Sequence, residues 1–261
     1  MSILKEITDH KAFEVNRAKK AFKISALERS QFFDRNTNSI VAALKEKETG
    51  IIAEFKRKSP SKGDINIGVG IAETTKAYAD AGAAGISVLT DSQYFGGFKE
   101  DLHIARENNP FTPLLRKDFI IDEYQIYEAK SWGADFILLI AACLNPDEIA
   151  SFSQLAHQLD LEVLLEVHDK EELLSAPMGH IDVVGVNNRN LKNFSESNIN
   201  ASLELADLIP KDKVKISESC ISDPEIVKEL KKVGYEGFLI GENFMKTAMP
   251  GKSLVEFLEK C

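Results

Sequence analysis

Five apolar runs in this 261-residue chain end on side chains that can move protons or hold anions. Ile51-Ile-Ala-Glu54-Phe-Lys56 closes with an acid and a base two residues apart, so on an extended strand both point to the same side. Pro113-Leu-Leu-Arg-Lys117 closes with a second lysine, and Val163-Leu-Leu-Glu166 with an acid. Val183-Val-Gly-Val-Asn187-Asn-Arg189 ends in amides and a guanidinium, and Lys215-Ile-Ser-Glu218-Ser219 in an acid and a hydroxyl. One lysine or glutamate closing a strand is ordinarily a solvated edge group. Five such ends in one chain point instead to a shared acid–base site. Arg57, Lys58, Lys62 and Arg116 fall out of parity or in loops and are expected to be solvated. His10, His103, His157, His168 and His180 show no ligand spacing and none closes a strand, so no metal site is expected.

The elements that must position these groups form a regular series. Apolar, β-branched runs recur at Ile51–Phe55, Gly85–Leu89, Pro113–Lys117, Asp135–Ile140, Glu162–Val167, Asp182–Asn187, Lys213–Ser217 and Gly237–Gly241, their starts 20 to 34 residues apart. That spacing holds a strand, a helix and two short loops, and near-continuous apolarity suits parallel strands covered on both faces. Asn145-Pro-Asp-Glu148 and Ser222-Asp-Pro-Glu225 each offer a capping side chain, proline in the first turn and acids where the helix dipole favours them. Gly82, Gly133 and Gly234 stand where a helix must stop before the next strand. Eight such units predict a closed α/β (β/α)₈ TIM barrel, with a doubly wound open sheet as the competitor. The barrel is favoured because Gly68-Val-Gly70 lacks the third glycine of a dinucleotide fingerprint. Residues 1–48 precede the first strand and read as a helical N-terminal extension packed on the barrel, within one domain spanning 1–261.

Composition narrows the partners. The 44% hydrophobic content supplies one substantial core, and 41 acids against 32 bases leave a net charge of −9, which disfavours nucleic acid. The longest apolar run, Phe136–Leu144, is far short of the roughly 20 residues that span a bilayer. Glu6, Asp9 and Glu14 are unlike a targeting peptide, and three scattered cysteines fit a reducing cytoplasm. A local anion site is nonetheless expected, because the loops after the seventh and eighth strands of such barrels commonly bind phosphate. Here those loops carry Ser219-Cys220 and Gly241-Glu242, and Gly241 would permit close backbone approach.

These residues also carry a family resemblance. Ala53-Glu54-Phe-Lys56-Arg-Lys-Ser59-Pro60-Ser-Lys-Gly63, Tyr94-Phe95-Gly-Gly97, Leu115-Arg-Lys117-Asp-Phe119, Leu165-Glu166-Val-His168, Gly185-Val-Asn187-Asn-Arg189-Asn-Leu191, Ser217-Glu218-Ser219 and Ile240-Gly241-Glu242, in this order, resemble indole-3-glycerol-phosphate synthase of tryptophan biosynthesis. The resemblance implies cofactor-free ring closure, decarboxylation and dehydration of 1-(2-carboxyphenylamino)-1-deoxyribulose 5-phosphate. It assigns Lys117 as principal general acid and Glu166 as general base. Lys56 would meet the substrate carboxylate or phosphate, with Glu54 holding it or sharing in dehydration, and the dehydration acid stays open between Lys56 and Lys117. Asn187 and Glu218 would hold substrate hydroxyls and position the lysines, and Arg189 would brace them. Ser59 belongs to the substrate-binding set. Ser219, Gly241 and the N–H groups of Cys220 and Glu242 would hold phosphate, while Phe95, Phe119 and Leu138 wall the anthranilate ring. Ordinary core packing is the alternative for those three. The family typically has glycine at position 220, so the cysteine here is expected to keep a negative φ, bind through its main chain and take no covalent part.

Two rivals differ in class. A phosphosugar isomerase such as phosphoribosylanthranilate isomerase would use a cysteine–aspartate pair, and no cysteine ends the first strand. A non-catalytic assembly subunit would have lost some charged strand ends, yet all five are present. The expected protein is a monomeric enzyme acting on a small phosphorylated substrate, without membrane, nucleic-acid or metal partners.

Overall fold

Each apolar run alternates between two faces, and in the computed structural model, which describes residues 3–189 and 198–261, those faces become the inside and outside of a barrel. β1 (Gly50–Phe55) leads into a small antiparallel hairpin, β2 (Lys58–Ser59) and β3 (Gly63–Asp64). Then follow β4 (Gly85–Leu89), β5 (Leu114–Lys117), β6 (Phe136–Ile140), β7 (Glu162–Val167), β8 (Val183–Asn187), β9 (Val214–Glu218) and β10 (Gly237–Ile240). Among the described residues, β1 and β4 to β10 form eight parallel strands in one closed ring, because β1 pairs with both β4 and β10. The runs expected as strands match these eight to within one residue at either end. The hairpin lies in what the sequence read as a loop.

Helices fill the connections: α1 (Ile3–Ala21), α2 (Ile24–Leu27), α3 (Ile40–Glu46), α4 (Ile71–Asp80), α5 (Ser92–Phe95), α6 (Lys99–Asn108) and α7 (Tyr124–Ser131). After them come α8 (Pro146–Gln158), α9 (Lys170–Ser175), α10 (Asn200–Leu205), α11 (Pro224–Lys232), α12 (Glu242–Met245) and α13 (Pro250–Leu258). The expected caps form: Asn145 and Glu148 exchange hydrogen bonds in a reciprocal box, and Asp223 accepts from the N–H of Glu225. Gly82, Gly133 and Gly234 take φ of 91°, 91° and 89°, the left-handed turn that ends a helix at no steric cost. Among the described residues no helix is long and apolar enough to cross a membrane.

Strand parity divides the core in two. Ile51, Ala53 and Phe55 of β1, with Ile137 and Leu139 of β6 and Val163 and Leu165 of β7, belong to the apolar layer between strands and helices. Their neighbours Ile52, Phe136, Leu138 and Leu164 fill the barrel interior with Leu115, Ile216 and Leu239. The interior is therefore a packed core, not a channel.

The segment before β1 seals one end. Ile40 and Leu44 of α3 are fully buried and join the interior cluster. They sit against the first residues of three strands: a Cβ on Gly50 or Gly237 would lie 2.7 or 2.9 Å from Leu44 Cδ2, and one on Gly85 would lie 2.7 Å from Ile40 Cδ1. Glu162, the first residue of β7, accepts from the N–H groups of Ile40 and Val41 at 2.6 and 3.1 Å and so fixes the start of α3. Between α2 and α3 the chain runs in turns rather than helix. Arg35 and the Asn38 N–H in that stretch bind the buried Asp135 carboxylate.

If α3 is the plug of the barrel floor, Leu44→Ala opens a cavity that the rigid strand ends cannot close. The expected cost is about 2–5 kcal/mol, read from denaturant unfolding; a loss near zero would show that α3 merely rests on the surface.

Candidate active site

The same parity that fills the barrel places the polar strand ends. Inward positions continue as Ile52-Glu54-Lys56 on β1, Leu115-Lys117 on β5, Leu164-Glu166-His168 on β7, Val183-Gly185-Asn187-Arg189 on β8 and Ile216-Glu218 on β9. Because strands are parallel and in register, with Asn187 opposite Glu218 and Glu166 opposite Gly185, these ends rise to one level at one mouth. They line a cavity of about 210 Å³.

Lys117 is its centre. The ammonium lies 3.0 Å from Glu166 Oε2 and 2.8 Å from Glu218 Oε2, and its side chain is 15% exposed. Burial works against its charge, but Glu166, Glu218 and Glu54 more than offset this and hold its pKa above the ordinary lysine value. Lys56 forms the second pair, 2.5 Å from Glu54 Oε1, and Ser87 of β4 donates to the other Glu54 oxygen at 3.4 Å. Burial raises the Glu54 pKa, yet Lys56 and Lys117 overcome it and the net shift is downward. Glu166 follows the same balance: burial opposes ionisation, Lys117 and His168 prevail, and the carboxyl stays below its usual range. Glu218 goes the other way, since burial and the neighbouring Glu166 charge outweigh Lys117. Its Oε1 is buried without a hydrogen-bond partner among the described residues.

Two glycines make room for this ring. A Cβ on Gly185 would lie 2.2 Å from Glu218 Oε1, and one on Gly241 would lie 2.6 Å from Glu54 Oε1. The bare backbone at Gly241 thus gives room to the Glu54 carboxylate.

One wall is apolar. Phe95, which ends α5, and Phe119 face each other with centroids 6.0 Å apart, and Leu138 and Ile140 of β6 complete that side. The opposite rim carries Ser219, Cys220, Gly241 and Glu242, with α12 starting at Glu242. Ser219 and Cys220 take φ of 66° and 60°, so the expected negative φ at Cys220 is corrected. Both residues turn left-handed where the chain leaves β9, a conformation that costs a side-chain-bearing residue roughly 1–2 kcal/mol and explains a preference for glycine there. Among the described residues the Cys220 thiol makes only a long contact, 3.9 Å to the Asn188 carbonyl. Arg189 donates to Ser61 Oγ at 2.5 Å and approaches Glu242 at 3.8 Å, tying the rim to the β2–β3 hairpin that bears Ser59. Asn190 and Leu191, part of the same sequence block, lie outside the described residues.

Sequence reasoning missed the roof. Ile3, Leu4 and Ile7 of α1 line the cavity, and Lys11, one turn further on, is only 4% exposed. Its ammonium meets Glu14, Asp91 and Asp118 at 2.7, 2.9 and 3.0 Å. Asp91 also caps α5, accepting from the N–H groups of Tyr94 and Phe95, and Asp118 adjoins Lys117, so one lysine of the extension braces both the apolar wall and the end of β5. Burial raises the Asp118 pKa, but Lys11 and Arg116 bring it down to about 2. The available signal was a lysine four residues after Ile7, in phase with the buried face of an amphipathic helix.

Two solvated-residue expectations are corrected. Arg116 points outward as its parity requires, but into the helical layer, where it is 2% exposed, binds Asp118 and Glu128 and lies 4.0 Å over the Trp132 ring. Arg57 pairs with Asp101 and lies over the Phe55 ring. Helices covering the barrel bury what a bare strand would expose.

Comparison with known proteins agrees with this geometry. A family model described as indole-3-glycerol phosphate synthase matches residues 4–257. The chain is 48% identical over 259 residues to a protein of that name from Bacteroides thetaiotaomicron, covering 98% of both chains. It is 42% identical to one from Delftia acidovorans, covering 97% of this chain and 98% of that protein. Among solved structures, 3-hexulose-6-phosphate synthase from Salmonella typhimurium superposes with a TM-score of 0.64 at 14% identity, over 81% of this chain and 99% of that one. At such identity the likeness is one of fold.

Two outcomes follow for the rim and the roof. Lys11→Met leaves the buried Asp91 without a cation and takes one of two from Asp118, which keeps Arg116, a cost of up to about 3–5 kcal/mol. It is expected as faster amide exchange across residues 3–21 together with a raised KM; unchanged protection would mean that the apolar face alone holds α1. Cys220→Ala should keep turnover within a few-fold of the parent, and an inactive Cys220→Ala enzyme would assign the thiol a role that its contacts do not.

Proposed function

The chain belongs to the indole-3-glycerol phosphate synthase family, and from that premise we propose how its own residues divide the reaction. The enzyme is a carboxy-lyase of tryptophan biosynthesis. It closes the ring of 1-(2-carboxyphenylamino)-1-deoxyribulose 5-phosphate, decarboxylates and dehydrates it, and releases indole-3-glycerol phosphate.

The observation that carries the assignment is Lys117 held between Glu166 and Glu218 at the cavity floor. Flanked by carboxylates, the ammonium stays charged and aims a proton into the cavity, as needed when the aromatic carbon attacks the ketone and its oxygen gathers negative charge. Phe95, Phe119 and Leu138 press the anthranilate ring against that carbon. Lys56, steered by Glu54, meets the substrate carboxylate or phosphate at the other side of the mouth. Decarboxylation then returns the bonding pair to the ring. In the dehydration half, the lysine pair protonates the leaving hydroxyl and Glu166, ionised at neutral pH, takes a proton from the adjacent methylene carbon. Asn187 and Glu218 hold the substrate hydroxyls; the unpartnered Glu218 Oε1 supports this, being an acceptor without a donor. Arg189 braces the rim, Ser59 contacts the substrate from the hairpin, and Ser219 with the N–H groups of Cys220, Gly241 and Glu242 receives the phosphate.

The reaction is acid–base chemistry throughout, so this reading uses no metal or organic cofactor. The enzyme acts as one domain, 1–261, and as a monomer in the cytoplasm, with neither nucleic acid nor membrane as partner; the net charge of −9 supports the exclusion of polyanions.

Lys117→Met keeps the side-chain length and deletes the proton, and Glu166→Gln keeps the shape and deletes the base. Each should lower kcat by about 10²–10⁴-fold while substrate still binds, measured by the appearance of indole-3-glycerol phosphate from the purified protein. Parent-like turnover in either variant would remove that residue from its role.

A further inference from the structure

The reaction consumes a proton. The substrate enters with an ionised carboxylate that leaves as neutral CO₂, and the ketone oxygen leaves as water. Two protons go onto that oxygen, one at ring closure and one at dehydration, and Glu166 recovers one from the methylene carbon. Each cycle therefore leaves the lysine–glutamate ring one proton short, at a cavity that substrate fills and α1 roofs.

His168 stands where that proton could enter. It is the next inward position after Glu166, just beyond the end of β7, and its side chain is 11% exposed. Its Nε2 lies 3.4 Å from Glu166 Oε1 and has no hydrogen-bond partner among the described residues. Its Nδ1 lies 3.1 Å from Glu172 Oε2, which also accepts from the His168 main-chain N–H at 2.7 Å. Glu172 belongs to α9, and its side chain is 21% exposed, so it reaches solvent outside the roofed cavity. Glu172, His168, Glu166 and Lys117 thus stand in order 3.1, 3.4 and 3.0 Å apart, the middle step an ion-pair approach and the outer two hydrogen bonds.

We propose that His168 relays one proton per turnover from Glu172 at the surface to Glu166, and through Glu166 to Lys117. The proposal rests on the roles given to Glu166 and Lys117 above. The histidine acts through Glu166 and not on the substrate. No bond other than N–H and O–H changes: the imidazolium gives its Nε2 proton to Glu166, which passes one to Lys117; the neutral ring keeps its Nδ1 proton, and a hydronium ion or buffer acid drawn to the Glu172 carboxylate recharges the bare nitrogen when the ring turns outward. The charged groups around the ring suit this. Burial disfavours the imidazolium, but Glu172, Glu166 and Glu218 overcome it and raise the His168 pKa. Cys143, beside both carboxylates, is pushed up to about 12 by burial, Glu166 and Glu172, stays protonated and takes no part.

His168→Gln in the full chain keeps a polar side chain that cannot carry a proton. In weak buffer its steady-state kcat should fall roughly tenfold or more, less than the about 10²–10⁴-fold of a group that meets the substrate directly. The first turnover should suffer less, because Lys117 begins each assay loaded. Raising imidazole at fixed pH and ionic strength should restore steady-state turnover in the variant and leave the parent unchanged. An equal loss in both assays that ignores imidazole would mean a structural role and overturn the proposal, as would no loss at all. Glu172→Gln, on the surface, carries the same test should His168→Gln fail to fold. Parent turnover and the Glu166→Gln defect, measured alongside, keep a failed relay distinct from a misplaced base.

Discussion

Two ammonium groups and three carboxylates share the mouth of this barrel, each nearly removed from water. Such burial is tolerable only if every charge meets an opposite one at hydrogen-bond distance, since an unpaired buried ion costs several kcal/mol. Lys117 between Glu166 and Glu218, and Lys56 against Glu54, meet that condition. The charges do not match one for one, and the remaining carboxylate appears as the raised pKa of Glu218 and its unpartnered oxygen. A site with a standing deficit of donors is one prepared for a ligand that brings hydroxyls.

Holding that ring requires a rigid frame with no room for drift, and the barrel supplies it through register. Parallel pairing sets Asn187 beside Glu218 and Leu89 beside Lys117, so a slip of one residue would turn a cavity-lining charge into the helical layer. Gly185 and Gly241 then give space to the carboxylates that lean across their neighbours. At the rim the same economy has a local cost: Ser219 and Cys220 are both left-handed, where glycine would be unstrained.

The N-terminal extension works at both ends of this frame. α3 inserts Ile40 and Leu44 into the floor, while α1 lays Ile3, Leu4 and Ile7 over the mouth. Lys11 links the second task to the cavity wall, because the aspartates it neutralises cap the helix that carries Phe95 and precede Phe119. Removing water from the mouth strengthens each electrostatic contact inside.

The eight strands, their helix caps and the inward identity of Glu54, Lys56, Lys117, Glu166, Asn187 and Glu218 were legible in the chain, because alternation and capping are local rules that operate over a few residues. The order of motifs further identified the family. Local rules could not show what lies across space. Arg116 reads as a solvated base until α7 covers it, Lys11 reads as one more surface lysine until two aspartates from distant loops enclose it, and Cys220 adopts a backbone angle set by how β9 must leave the barrel. His168 stands one alternation past Glu166 and four residues before Glu172, but that its ring lies near both carboxylates is decided by how the chain leaves β7. Sequence determined which groups share a face; tertiary packing decided which of them lose water, and with it their charge partners and their chemistry.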